Sequence, residues 1–360
     1  MEPLTEENIL NYIDTIPVVK NIFNHNLVHV KEMGDGNLNF IFRLKDGVGH
    51  SIILKHAPPY LRLLGPTFLL PQTRIHAEMH TMSYFESFAP EYVPHIYYGD
   101  EQNFMLFMED LEGYDTLQKR QLAMPISLHV YEKLGDFLGK VYAQTPPLKS
   151  PHYYENATLK SISENYIFRF PHIPNHEALD IPPFFKPLPK NDDFYKGIKT
   201  LVNLFLNAKE TLIHGDLHTG SVMVKEDKIA IIDAEFSFFG PLGFDMGNLF
   251  AHIIFGEIYA LFEGKRVQWK DAIGAVWKSF GHDEAILQTS VGFCGAELYR
   301  RLVVPAKAKP LEAITCQHQK EEAYHMVDAL AIDLVSNFYH IKRIEDFYTI
   351  IERYVCTKMH

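Results

Sequence analysis

Residues 212–247, LIHGDLHTGSVMVKEDKIAIIDAEFSFFGPLGFDMG, decide how this chain is read. Asp216 ends His214-Gly215-Asp216, after a short apolar run and before the turn-like Leu217-His218-Thr219-Gly220. It is therefore a loop carboxylate held by ordered neighbours, and a candidate base. Ser221-Val222-Met223-Val224 and Ile229-Ala230-Ile231-Ile232 flank the polar turn Lys225-Glu226-Asp227-Lys228 and read as a hairpin of two apolar strands. Asp233 and Glu235 follow it. In extended backbone, side chains two apart share a side, so the expectation is two carboxylates aimed at one point with Ala234 facing away. Such a pair suits a hard cation, and Mg2+ held by carboxylates plus substrate phosphates is the usual form. His214 is expected to bond to backbone, and Asp245 to pin the loop by accepting backbone N–H groups.

A lone Asp near a turn is ordinarily a cap. Here a base loop, a hairpin and a metal-binding acid come in succession, the order found in protein-kinase-like enzymes. That joint pattern points to phosphoryl transfer. Upstream, residues 27–33 and 39–44 read as strands around Gly34-Asp35-Gly36-Asn37-Leu38, which is either a plain hairpin turn or a flap whose amides cover nucleotide phosphates. The strand His50–Lys55 ends in a lysine that needs an anionic partner if buried. Glu78, on a downstream helix, is the candidate partner. Two more strands, Val93–Gly99 and Phe104–Met108, complete an antiparallel sheet. Glu109-Asp110-Leu111 then breaks the pattern, as a linker whose backbone could meet adenine.

Beyond it the periodicity turns helical, as in Val130, Leu134, Phe137, Leu138 and Val141. The expected fold is α+β and bilobal: a small antiparallel-sheet lobe over 1–108 and a larger, mainly helical lobe over 109–360. Thr5 is expected to cap a first helix that Pro17 ends. The proline-rich part between Pro146 and Pro189 should be irregular but packed, as a cap over the acceptor or as lobe packing. Leu249–Gly256 reads as a buried helix, too short and too soon interrupted by Glu257 for a membrane span. Adjacent Arg300 and Arg301 diverge on a helix, so one could face a ligand while the other pairs with protein.

Composition narrows the field. With 47% apolar and 13% aromatic residues the chain has ample material for cores. A net charge of −11 argues against a general nucleic-acid surface, which needs concentrated Lys and Arg. Three cysteines, Cys294, Cys316 and Cys356, lack paired spacing and support neither a disulfide framework nor a zinc site. The acidic start, Met1-Glu2-Pro3-Leu4-Thr5-Glu6-Glu7, lacks the flank and apolar core of a secretion signal, so a cytoplasmic location is expected.

Taken together, Gly34-Asp35-Gly36-Asn37-Leu38-Asn39, the Lys55 strand followed by Pro59-Tyr60 and Gly65, Met108-Glu109-Asp110-Leu111, His214-Gly215-Asp216 through Ser221, Asp233-Ala234-Glu235, Gly240–Asp245 and Gly292–Arg301 resemble the 5-methylthioribose kinases. These are kinase-like small-molecule phosphotransferases related to aminoglycoside and choline kinases. The resemblance implies ATP- and Mg2+-dependent phosphorylation of the anomeric hydroxyl of 5-methylthioribose in methionine salvage, by a cytoplasmic homodimer. It implies that Gly36, Asn37, Asn39, Lys55 and Glu78 serve the nucleotide, that Glu109, Asp110 and Leu111 meet adenine, and that Asp233, Ala234 and Glu235 form the metal–ATP unit. Asp216, Arg300 and Arg301 would hold the sugar, and Ser221 stands where many kinases have a metal-binding Asn. The chain departs from the pattern at Phe68, in place of a tryptophan, and just after Arg301. Rival readings are a kinase for another small metabolite, such as an amino alcohol or aminoglycoside, and a non-catalytic nucleotide-binding module. The latter needs a lost lysine, base or acid, and Lys55, Asp216, Asp233 and Glu235 are all present.

Overall fold

The structure, a computed structural model, describes residues 4–355 apart from 7, 24–27, 34–37, 63–64, 145–153 and 282. Strands β1 (Val28–Met33), β2 (Phe40–Asp46), β3 (Ser51–His56), β4 (Ile96–Asp100) and β5 (Met105–Glu109) form an antiparallel sheet in the order β1-β2-β3-β5-β4. One face of it is apolar, because alternate residues along a strand share a side. Phe42 and Leu44, Ile52 and Leu54, and Met105 and Phe107 pack there against Ile9 and Ile13 of helix α1 (Ile9–Ile13) and Val19 of α2 (Pro17–Ile22). The opposite face of β5 meets Ile75 and Met79 of α3 (Arg74–Glu86) through Leu106 and Met108. Farther along α3, Met82 and Phe85 enter the larger core, so this one helix is packed into both parts of the molecule.

The beginning of the chain differs from expectation. Helix α1 stops at Ile13, and Pro17 opens α2 instead of ending α1, since proline's fixed φ and missing N–H suit a first helical position. Thr5 sits ahead of the helix, exchanging hydrogen bonds with Asn8: its N–H donates to Asn8 Oδ1 at 2.8 Å and its Oγ1 accepts from Asn8 N–H at 3.3 Å.

After β5 the chain is mainly helical. Strand β6 (Asp115–Thr116) leads into α4 (Leu117–Ala123), α5 (Leu128–Tyr142), α6 (Ala157–Ser163) and α7 (Asp192–Asn207). Between α6 and α7, helical turns to His172 are followed by irregular chain through the prolines. Strand β7 (Thr211–Ile213) pairs with β10 (Phe238–Gly240), while β8 (Val222–Lys225) and β9 (Lys228–Ile231) form the expected hairpin, with Val222 opposite Ile231. Then come α8 (Leu242–Phe262), α9 (Trp269–Phe280), α10 (Glu284–Val303), α11 (Lys309–Glu312), α12 (Gln317–Asn337) and α13 (Ile344–Val355). Almost every residue of α8 is buried, as an all-round apolar helix at the centre of a domain must be. Among the described residues no helix is long and apolar enough to cross a membrane.

Candidate active site

Lys55 leaves β3 into the interior with its side chain 5% exposed. A buried ammonium is stable only with anionic partners. It has two: Nζ donates to Glu78 Oε1 at 2.7 Å and to Asp233 Oδ1 at 2.6 Å. Burial by itself would lower the pKa of Lys55, but Asp233, Glu78 and Glu235 together override it and keep the lysine charged. The acids outnumber that cation. Glu78 is pushed up to about 7, mainly by burial and opposed by Lys55. Glu235 is likewise raised by burial, whereas at Asp233 partial desolvation is more than offset by Lys55, which holds it below the usual carboxylate range.

Glu235 is tied to a second cation. Its Oε2 accepts from Asn39 Nδ2 at 3.0 Å and lies 3.5 Å from Arg74 Nε. The Arg74 guanidinium, wholly buried, also donates to Asn39 Oδ1 and to the carbonyls of Leu38, Pro58 and Pro71. Arg74 thereby fastens the chain after β3 and the start of β2 to the acid that follows the β8–β9 hairpin.

The expected strand-like presentation of Asp233 and Glu235 is not what the backbone does. Asp233 has φ 66° and ψ 41°, and Ala234–Phe236 make a tight helical turn. Asp is among the residues that tolerate this left-handed region. The two carboxylates still converge on Lys55, but a reversal of the chain brings them there, with Ala234 buried beneath. Asp233 keeps its side chain 44% exposed, beside the buried Glu235. Among the described residues no cluster of three or more such ligands makes a ready metal cage. One open and one buried carboxylate fit a cation that draws its remaining ligands from phosphate and water.

The candidate base lies on the other side of the hairpin. Asp245 accepts from the backbone N–H of His214 at 2.6 Å and of Gly215 at 2.9 Å, and His214 Nε2 donates to the Ile232 carbonyl at 2.8 Å. Both scaffolding expectations therefore agree with the geometry. Gly215 has φ 83°, and a Cβ there would lie 2.1 Å from the Phe236 carbonyl oxygen, so the loop can pass the turn at Ala234–Phe236 only at glycine. Ser221 Oγ donates to the Asp216 carbonyl at 3.1 Å.

Burial tends to raise the pKa of Asp216, yet His218, Arg301 and Arg300 more than offset it and keep the carboxylate ionised far into acid. The arginines do not divide their tasks as expected. Both are buried on α10 and both bind Glu297, one turn earlier: Arg300 through Nε at 2.5 Å and Nη2 at 3.0 Å, Arg301 through Nε at 2.6 Å. His252 of α8 adds a contact to Glu297 at 3.1 Å, and its ring stacks on His218 with centroids 4.8 Å apart. Glu297 is 1% exposed, and its three cationic or polar neighbours hold it well below the usual carboxylate range although burial opposes them.

The geometry thus gathers Asn39, Lys55, Glu78, Asp233 and Glu235 at one centre, and Asp216, Arg300 and Arg301 at another. Gly36 and Asn37 lie outside the described residues. Glu109 ends β5 with its N–H bonded to the His95 carbonyl, and Leu111 accepts from Tyr114 N–H. Asp110 is engaged by Arg43 at 2.7 Å and by Ser51 at 2.5 Å, so its side chain serves the sheet. Arg74, His218, His252 and Glu297 were not singled out from sequence. A signal existed for two of them: Arg74 precedes Glu78 by one helical turn, and Glu297 precedes the arginines by three and four residues, the spacings of neighbours on a helix.

Residues 29–284 match the phosphotransferase enzyme family, APH. The chain is similar to the methylthioribose kinase of Bacillus velezensis, 29% identical over 350 residues covering 88% of each chain, and to that of Geobacillus kaustophilus, 29% identical over 327 residues covering 81% of this chain and 82% of the other. A choline/ethanolamine kinase family protein from Mesorhizobium loti superposes with a TM-score of 0.48 at 10% identity, covering 92% of this chain and 98% of the other. The family match runs from β1 to the first residue of α10, so it takes in Lys55, Glu78, Asp216, Asp233 and Glu235 and stops short of Glu297, Arg300 and Arg301. This chain belongs to the phosphotransferase enzyme family and is a small-molecule kinase.

Proposed function

We propose that the enzyme transfers the γ-phosphoryl group of ATP, with Mg2+, to the anomeric hydroxyl of 5-methylthioribose, giving the 1-phosphate. The observation that carries this reading is Asp216, a loop carboxylate kept ionised by His218, Arg301 and Arg300. The similarity to methylthioribose kinases supports it. Lys55, oriented by Glu78, binds nucleotide phosphate, and Asn39, bonded to Glu235, also serves the nucleotide. Glu109, Asp110 and Leu111 are placed in this reading along the adenine edge. Mg2+, held by Asp233 and Glu235, would neutralise charge on the phosphates. Asp216 orients the hydroxyl and accepts its proton as the new O–P bond forms and the bond from phosphorus to the bridging oxygen of ADP breaks.

The arginine pair complements charge on the transferring phosphoryl group and repels polycations. With the reading go methionine salvage, a cytoplasmic homodimer, and a division into lobes at 1–108 and 109–360.

The test is an ATP-consumption screen across sugars, amino alcohols and aminoglycosides, with Asp216→Asn as control. Methylthioribose should be phosphorylated well, ribose less well because an apolar contact is lost, and aminoglycosides not at all. Asp216→Asn should lose about 10²- to 10⁴-fold in turnover with ATP binding kept. Preference for choline or an aminoglycoside would overturn the acceptor; normal turnover in the folded Asn variant would remove Asp216 as base.

A further inference from the structure

Beside Asp216 stands an imidazole whose orientation is fixed independently of it. The backbone N–H of Gly220 donates to His218 Nδ1 at 2.8 Å, so the proton of the neutral ring is on Nε2. Nε2 lies 3.5 Å from Asp216 Oδ2. That is an ion-pair distance, longer than a formed hydrogen bond. The ring has little room to turn. On one face it stacks on His252, itself held by Glu297, and a Cβ at Gly220 would lie only 2.5 Å from its Cε1. Glycine at 220 therefore leaves space for the imidazole to close over its own loop.

We propose that His218 is a positioning residue: its Nε2–H holds one oxygen of Asp216, so that the second oxygen meets the acceptor hydroxyl. This rests on reading Asp216 as the base. It assigns separate tasks to the groups around that carboxylate. Arg300 and Arg301 from α10 supply positive charge, while Asp245 from α8 and His214 anchor the loop backbone. Among the described residues only His218 places a side-chain nitrogen beside an oxygen of that carboxylate. His252 backs the ring without reaching Asp216, since its Nε2 is committed to Glu297.

The experiment compares His218→Leu, His218→Gln and Gly220→Ala in the full chain with Mg-ATP and 5-methylthioribose, after thermal melts confirm folding. A hydrogen bond to a charged group is worth about 1.5–3 kcal/mol, so His218→Leu should lower kcat by about 10- to 100-fold with the KM for ATP unchanged. The acid limb of the kcat/KM profile should move to higher pH, because the carboxylate loses a group that favours its ionised form. Gln keeps an N–H donor near the place of Nε2 and should recover most of the loss. Ala at 220 keeps the imidazole but displaces it, and should behave like Leu at 218. Equal effects of Leu and Gln with an unmoved acid limb, or a Gly220→Ala enzyme with normal kinetics, would overturn the proposal. If Asp216→Asn is inactive while His218→Leu turns over normally, only the role of His218 falls. If Asp216→Asn is active, the base assignment itself falls.

Discussion

Arg74 and Glu78 stand one turn apart on α3 and each engages one member of the Lys55 cluster, Glu78 taking Lys55 at 2.7 Å and Arg74 lying 3.5 Å from Glu235. One helix therefore orders both the lysine and the buried acid. Its position decides how close those two charges lie to each other.

Replacing Arg74 should consequently be more damaging than an ordinary helix substitution. Arg74→Ala removes the cation beside buried Glu235 and leaves several carbonyls without their donor. Loss of one partner from a buried pair costs about 3–5 kcal/mol, and Arg74→Lys should recover only part of it, because an ammonium cannot reproduce the planar fork. Urea unfolding of the three proteins measures this. An alanine variant as stable as the parent would show that the guanidinium contributes no net stability.

Glu235→Gln should raise the Mg2+ requirement, since an amide oxygen replaces one of two anionic ligands for a hard cation. The rate deficit should shrink at high Mg2+. A metal titration identical to that of the parent would put Glu235 outside the coordination shell and leave it the partner of Asn39 and Arg74 alone.

Glu297 gives a prediction in pH. Its folded pKa lies well below the ordinary 4.5, so the stability it supplies is fully present above 4.5 and is lost as pH falls toward and through the folded value. Thermal melts from pH 7 down to about pH 3 should show the parent losing stability in that acid window. Glu297→Gln should be less stable at neutral pH and flatter below 4.5, because the variant has no carboxylate there to protonate. Parallel curves would refute the assignment. The same variant should raise the KM for the acceptor more than that for ATP, because the arginine pair loses its anchor.

What could be read from sequence was local. The lysine at the end of a strand, His-Gly-Asp before a hairpin, and Asp-Ala-Glu after it are short motifs whose chemistry is visible in the residues themselves. The Arg74–Glu235 and His252–Glu297 contacts join residues 161 and 45 positions apart, and each partner taken singly looks like an ordinary helix or turn residue. The turn at Asp233 escaped for another reason. An apolar strand running into an alternating Asp-x-Glu reads as continued extension, and only the passage of Gly215 against the Phe236 carbonyl makes a reversal necessary there.

The bond from Lys55 to Asp233 spans 178 residues, and that from Asn39 to Glu235 spans 196. A growing chain on the ribosome has made the whole five-stranded sheet long before either acid exists. Until then Lys55 has Glu78 but not Asp233, and Arg74 lacks Glu235, so the charge balance of the centre is incomplete. Phosphate-handling ability consequently arrives in one step, late in synthesis, when the hairpin docks. A nascent or prematurely ended fragment of this chain should be unable to consume cellular ATP, a safeguard that comes from the order in which the residues are made.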